Sequence, residues 1–328
     1  MFIVFSNEKD EFFSLVSYTL VSIKSGLNSL DCVFYVNPPI DVALILDIFE
    51  WHEMRQLCYF RIVLSPKKYL KYGRTMFGQV TYHLDEYVLS DRYPILSVST
   101  INKFDIKITK YYVFKLCIIN KLDILEFLYN KKLLSVDQPS DCNNYPLDIA
   151  SCHGHINVLK WLKNTCLPLK YGDNALILAS GNGHVAVLEW WKNSGLELKY
   201  SEQALNRASM EGHINVLEWW KNSGLELKYE NALNAASHNG HINVLEWWKN
   251  SGLELKYDED ALKWASYDGK VAVLEWWKNS GLELKYSKNI LYDLYTKKQK
   301  NVLKWWKKSK LPLEYPSWTI YLYMKFFV

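Results

Sequence analysis

The 328-residue sequence contains no run of about 18 uncharged apolar residues, the length a helix needs to cross a bilayer. Its nearest candidates are IDVALILDIFEW (40–51), interrupted by Asp41 and Asp47, and WTIYLYMKFFV (318–328), which is too short and carries Lys325. No Cys-x-x-Cys pair occurs among Cys32, Cys58, Cys117, Cys142, Cys152 and Cys166, which points to reduced thiols rather than a disulfide scaffold. The opening MFIVFSNEKDEFF lacks a basic stretch followed by an apolar one, so no secretory leader is expected and a cytoplasmic location is. Charge of one sign is also lacking. The 39 Lys and Arg against 35 Asp and Glu leave +4, too balanced for the chain as a whole to act as a nucleic-acid or membrane binder. With 49% hydrophobic and 23% charged residues, a disordered chain is excluded.

Catalytic signatures are missing too. There is no Walker A loop, G-x-S-x-G elbow, kinase set or supported Cys-His pairing. His52-Glu53 begins a zinc-protease pattern, but Gln56 stands where the second histidine is required. The expectation is a non-enzyme without metal or cofactor.

What the chain does have is tryptophan. Trp-Trp recurs at 190–191, 219–220, 247–248, 276–277 and 305–306, and Trp161-Leu162 lies one step earlier, so eleven of the 14 tryptophans mark one repeated position. The unit SEQALNRASMEGHINVLEWWKNSGLELKY (201–229) divides into two short helices, about 202–211 and 214–223, with Ser201 as an N-cap and Gly212 as the turn between them. At 100° per residue Val216, Trp220 and Leu217 fall at about 200°, 240° and 300° from Ile214, one apolar face, with Trp219 on its flank near 140°. Such a unit cannot bury its faces alone, but stacked copies can, which predicts a solenoid. The second tryptophan position also accepts Leu128 and Leu162, so it reads as a packing site; the first reads as a half-exposed ladder between repeats.

The segment NNYPLDIASCHGHINVLKWL (143–162) resembles the ankyrin repeat at Pro146, Leu147, Ala150, Gly154, His155, Val158 and Leu159. The resemblance spans about 109–315 and implies seven units: 109–137, 138–171, 172–200, 201–229, 230–257, 258–286 and 287–315. Their 28–29 residues fall short of the usual ~33, and the shortfall lies where the ankyrin finger would be, so plain loops are expected there and one full finger around 134–145. The expected architecture is mainly α, an ankyrin-like helical solenoid behind a small mixed α/β N-terminal domain (1–108), with a hydrophobic capping tail at 316–328. In the N-terminal part CVFYV (32–36) and CYFRIVL (58–64) read as strands and ALILDIFEW (43–51) as a helix. Its FSNE, GLN, VFYV and KKYLKYG segments resemble the leader of ankyrin-array proteins multiplied in giant DNA viruses of amoebae.

His155, His184, His213 and His241 stand one repeat apart, roughly 10 Å, too far to share one ion, and are expected to hydrogen-bond locally at the helix–helix turn. The middle units are near copies except at four first-helix positions. These are Ile177, Leu178, Gly181 and Asn182 in the first, and Asn206, Arg207, Met210 and Glu211 in the second. They continue as Asn234, Ala235, His238 and Asn239, then Lys263, Trp264, Tyr267 and Asp268. First helices of the ankyrin fold line its concave face, so the resemblance implies a monomeric scaffold that binds a partner protein, of host origin if the viral likeness holds. Asn206, Arg207, Met210, Glu211, Asn234, His238, Asn239, Lys263, Trp264, Tyr267 and Asp268 are the candidate contacts, Trp264 and Tyr267 the candidate anchors. Two alternatives stand beside this. Residues 286–315 hold eight lysines against Asp293 and Glu314, a basic end that could touch nucleic acid or an anionic membrane surface. Residues 1–108 could act as a ubiquitin-ligase-type adaptor with the array as substrate receptor; Leu311-Pro312-Leu313-Glu314 resembles an F-box opening, although Leu167-Pro168-Leu169 fills the same loop. No membrane partner is expected.

Overall fold

The computed structural model describes residues 2–6, 11–14, 19–22, 29–35, 59–63, 68–74, 80–85, 89–134, 145–296, 299–314 and 318. The chain forms two compact units, 1–146 with 160–170, and 147–159 with 171–328.

In the first unit β1 (Phe2–Ser6), β4 (Ser29–Tyr35), β5 (Tyr59–Val63), β6 (Lys68–Arg74), β7 (Val80–Asp85) and β8 (Tyr93–Pro94) form an antiparallel sheet ordered β6-β7-β4-β1-β5-β8. β2 (Glu11–Ser14) and β3 (Thr19–Ser22) pair separately. Both expected strands are present as β4 and β5, on either side of β1, with Ile3 opposite Phe34 and Ile62. The helix expected at 43–51 lies outside the described residues. Phe60 is buried against Tyr93 and Phe104, with ring centroids 5.6 and 5.2 Å away, and Phe104 lies on α1 (Val98–Phe104). Tyr112 donates its hydroxyl to the Ile95 carbonyl at 2.9 Å from the first turn of α2 (Lys110–Ile118).

Among the described residues seven helix pairs follow α1, as the seven expected units require. They are α2 with α3 (Leu122–Asn130), α4 (Pro146–Cys152) with α5 (Ile156–Asn164), and α6 (Asn174–Gly181) with α7 (Val185–Asn193). Next come α8 (Gln203–Met210) with α9 (Ile214–Asn222), and α10 (Ala232–Asn239) with α11 (Ile242–Asn250). The last are α12 (Asp260–Tyr267) with α13 (Val271–Asn279), and α14 (Ile290–Thr296) with α15 (Lys300–Ser309). Helix α8 starts one residue later than the cap reading implies. Ser201 still accepts the Gln203 N–H, at 3.4 Å, but Glu202 occupies the cap. Gly212 turns the chain at φ +83°, a conformation that costs an L side chain about 1–2 kcal/mol.

Within the second unit, α6, α8, α10 and α12 pack directly on one another, whereas α7, α9, α11 and α13 touch sparingly. Residue volume explains the difference. Buried Ala175, Ala179, Ala204, Ala208, Ala232 and Ala236 let first helices approach, while Trp191, Trp220, Trp248 and Trp277 wedge the second helices apart. The LELKY segments run as extended loops, and no strand occurs among the described residues of 172–314, in line with the missing fingers. Residues 135–144, where a full finger was expected, are outside the described set.

Candidate protein-binding surface

Three ladders bind the repeats to one another. In the first, each second tryptophan is fully buried and donates its indole N–H to a serine on the first helix of the repeat before. The pairs are Trp191 to Ser151 (2.8 Å), Trp220 to Ser180 (2.9 Å), Trp248 to Ser209 (2.9 Å), Trp277 to Ser237 (2.9 Å) and Trp306 to Ser266 (3.0 Å). Burying an indole N–H is tolerated only with such an acceptor. The same rings meet the loop tyrosines, for example Tyr229 with Trp248 at 4.7 Å, while Tyr229 donates to the Glu254 carbonyl and Lys256 lies over its ring at 5.3 Å. This is why LELKY is copied as closely as the Trp pair.

The second ladder runs between repeats through the first tryptophans, as expected, and hydrogen bonds form it. Trp219, Trp247 and Trp276 are half-buried and Trp305 is buried; they donate to a carboxylate of the repeat before, Trp219 to Glu189, Trp247 to Glu218, Trp276 to Glu246 and Trp305 to Glu275, at 2.7–2.9 Å. The tryptophan N–H, and after it an asparagine amide one turn along the helix, hold each carboxyl below its ordinary range.

The third ladder is formed by histidines. The rings of His184, His213 and His241 press on the glycine of the repeat before. A Cβ added at Gly154, Gly183 or Gly212 would lie 2.8–2.9 Å from the ring of His184, His213 or His241. His184 also bonds the backbone of Cys152. Gln299 takes the same place against Gly269. Among the described residues no group of three or more His, Cys, Asp or Glu is placed to hold a metal ion. Cys117 is buried and its thiol is pushed up to about 12, which leaves it without nucleophilic character at neutral pH.

Burial, with His155 and His184 nearby, holds His153 below the ordinary imidazole value; burial, with His155 and His213, does the same to His184. The folded chain therefore binds fewer protons here than the unfolded chain. This contribution to stability is complete above the unfolded pKa of about 6.5 and is lost as pH falls below it, levelling beneath the lowered folded values. Melting temperature should accordingly drop between pH 7.5 and 5.5. His184→Gln, which borrows the side chain of the last repeat, should reduce that drop, and an unchanged pH dependence would refute the assignment.

The divergent first-helix positions fall into two groups. Asn206 and Asn234 are nearly buried and face the next loop rather than solvent. Asn206 accepts the Glu230 N–H at 3.4 Å, and Asn234 donates to Asp258 at 2.8 Å and accepts its N–H at 3.3 Å. Asp148 does the same for Gly172. Asn239 donates to the Met210 carbonyl at 2.7 Å, as Asn182 does to Cys152. These asparagines join repeats.

Arg207, Glu211, Trp264 and Asp268 are exposed, and Met210, His238, Lys263 and Tyr267 are partly so. The stem of Arg207 lies over Gly181, where an added Cβ would be 3.2 Å from its own Cβ. The others on α10 and α12 converge. His238 stacks on Trp264 (5.4 Å, 30°), Trp264 meets Tyr267 edge-on at 5.6 Å, and Lys263 sits 5.4 Å above the indole. His238 Nε2 lies 2.9 Å from Asp268 Oδ2, bridging two repeats.

Residues 113–162 match the family model of ankyrin repeats. The ankyrin repeat domain of human ASB11 is similar over 53% of this chain and 85% of its own, at 16% identity and a TM-score of 0.44. No curated protein sequence matches the chain. The described residues are mainly helical, and the stacked helix pairs of the second unit form an ankyrin-like solenoid. Among the described residues no helix is long and apolar enough to cross a membrane.

Proposed function

We propose that the chain is a non-enzymatic scaffold that binds another protein on the concave face formed by its first helices, with Trp264 and Tyr267 as the anchors. Ankyrin repeats generally serve as protein-interaction modules, and the match at 113–162 supports that class. The observation that carries the site is the cluster on α10 and α12. Trp264 keeps 37% of its surface exposed at a register held by Leu178, Arg207 and Ala235 in the preceding repeats. A large side chain held by His238, Tyr267 and Lys263 is costly to leave in water and loses little entropy when a partner covers it. Arg207, Met210 and Glu211 extend the surface toward the array's start. The proposal includes a cytoplasmic, monomeric protein whose partner belongs to a host cell, in keeping with the leader resemblance.

The test is affinity capture from host-type cytosol with the full chain and with Trp264→Ala/Tyr267→Ala, both checked for unchanged circular dichroism and melting. At least one protein should be held by the parent chain and bind the variant tenfold or more weakly. Identical capture by both would refute the site.

A further inference from the structure

We propose that the lysine face of α15, together with the exposed Trp318, docks on an anionic lipid surface. The sequence reading expects no membrane partner for the chain as a whole; the lysine face of α15 argues for a peripheral one, on an element separate from the first-helix site.

Helix α15 carries Lys300, Lys304, Lys307 and Lys308, all exposed, and Lys310 follows as its left-handed C-cap. Spacings of four, three and one put the lysines along one side, opposite buried Val302, Leu303 and Trp306. Helix stability does not require this set. Lys307 and Lys308 suit the negative C-terminal end, but Lys300 sits in the first turn, where a cation is unfavourable. Lys304 stands in the register of Glu189, Glu218, Glu246 and Glu275, and Lys308 in that of Asn193, Asn222, Asn250 and Asn279. In those helices the glutamate receives the next repeat's tryptophan and the asparagine steadies it, as with Glu246, Trp276 and Asn250. In α15 lysines fill both positions, and an ammonium group cannot accept an indole N–H. Glutamate and asparagine would have kept the face soluble, yet both are cations. Among the described residues no carboxylate pairs with Lys300, Lys304, Lys308 or Lys310, and Glu314 lies 3.9 Å from Lys288 instead.

The chemistry of the face selects the partner. Among the described residues of α15 only Asn301 shares this outer surface, with no apolar seam of the kind that forms the core of a protein interface, where lysine is depleted. Lysine supplies point charges without the bidentate fork of arginine, which suits many interchangeable phosphates. A straight stripe about 12 Å long reaches two or three phosphates of one nucleic-acid strand, whereas a bilayer offers headgroups to every lysine at once. Trp318 adds the second signal that peripheral attachment requires. It is 73% exposed, the most exposed large hydrophobic side chain among the described residues, and tryptophan favours the headgroup region.

The test is co-sedimentation of the full chain with vesicles of phosphatidylcholine alone or with about 30 mol% phosphatidylserine. Binding should need phosphatidylserine and fade in about 0.5 M salt. Lys300→Gln/Lys304→Gln/Lys307→Gln/Lys308→Gln should weaken it tenfold or more, and Trp318→Ala several-fold, with melting temperatures showing that both variants stay folded. Absence of binding, equal binding to neutral vesicles, or an unaffected lysine variant would overturn the proposal. So would lysine-dependent binding to a 30-nucleotide RNA or a DNA duplex with none to vesicles.

Discussion

Trp248→Ala should cost about 4 kcal/mol or more, the largest single loss expected in this chain. The ring is fully buried, sits 4.7 Å from Tyr229 and 5.1 Å from Trp247, and donates to Ser209 at 2.9 Å. Alanine removes the ring contacts and leaves the Ser209 hydroxyl buried without its donor, a further penalty of about 1–3 kcal/mol. Trp248→Phe keeps much of the volume and should cost about half as much. In the Trp248→Phe background, Ser209→Ala should be milder than in the parent chain, because its partner is already gone. Solenoids unfold by neighbouring units. Urea titrations should therefore show repeats after position 230 melting before those ahead of it, most clearly by exchange of their backbone amides. A loss below about 2 kcal/mol would mean that the repeats collapse around the hole and that the ladder is dispensable.

Gly212→Ala should destabilise the chain by about 3 kcal/mol, and Gly224→Ala by only about 1. Both glycines hold positive φ, +83° and +75°, so both substitutions carry the left-handed penalty. They differ in what a methyl group meets. At Gly212 it would lie 2.8 Å from His241 Nδ1, whereas at Gly224 nothing stands within 4 Å. The difference between the two variants isolates the ring contact across the repeat junction. His241→Ala should recover part of the Gly212→Ala loss and none of the Gly224→Ala loss. Equal costs at the two glycines in thermal or urea unfolding would show that the histidine ladder yields freely.

Much of this was open to reading in the primary structure. The tryptophan period and the Ala-Leu/Val-Leu spacings determine seven stacked helix pairs, because helical periodicity is local and a copied unit has only its copies to pack on. Even the serine ladder leaves a trace. Trp191, Trp220, Trp248, Trp277 and Trp306 each follow a serine by 39 or 40 residues.

Other roles depended on side-chain direction, which spacing alone does not reveal. Variation at Asn206, Asn234 and Asn239 looks the same in sequence as variation at Arg207 and Trp264. The structure turns the asparagines toward backbone groups of neighbouring repeats and leaves the arginine and the indole outside. His184, His213 and His241 likewise look like turn residues until the neighbouring repeat brings a glycine against each ring. The sequence by itself determined which helices exist and that they stack. Only the tertiary structure decided which of their divergent positions fasten the stack and which remain for a partner, because that depends on what lies across a junction between residues about 29 apart in the chain.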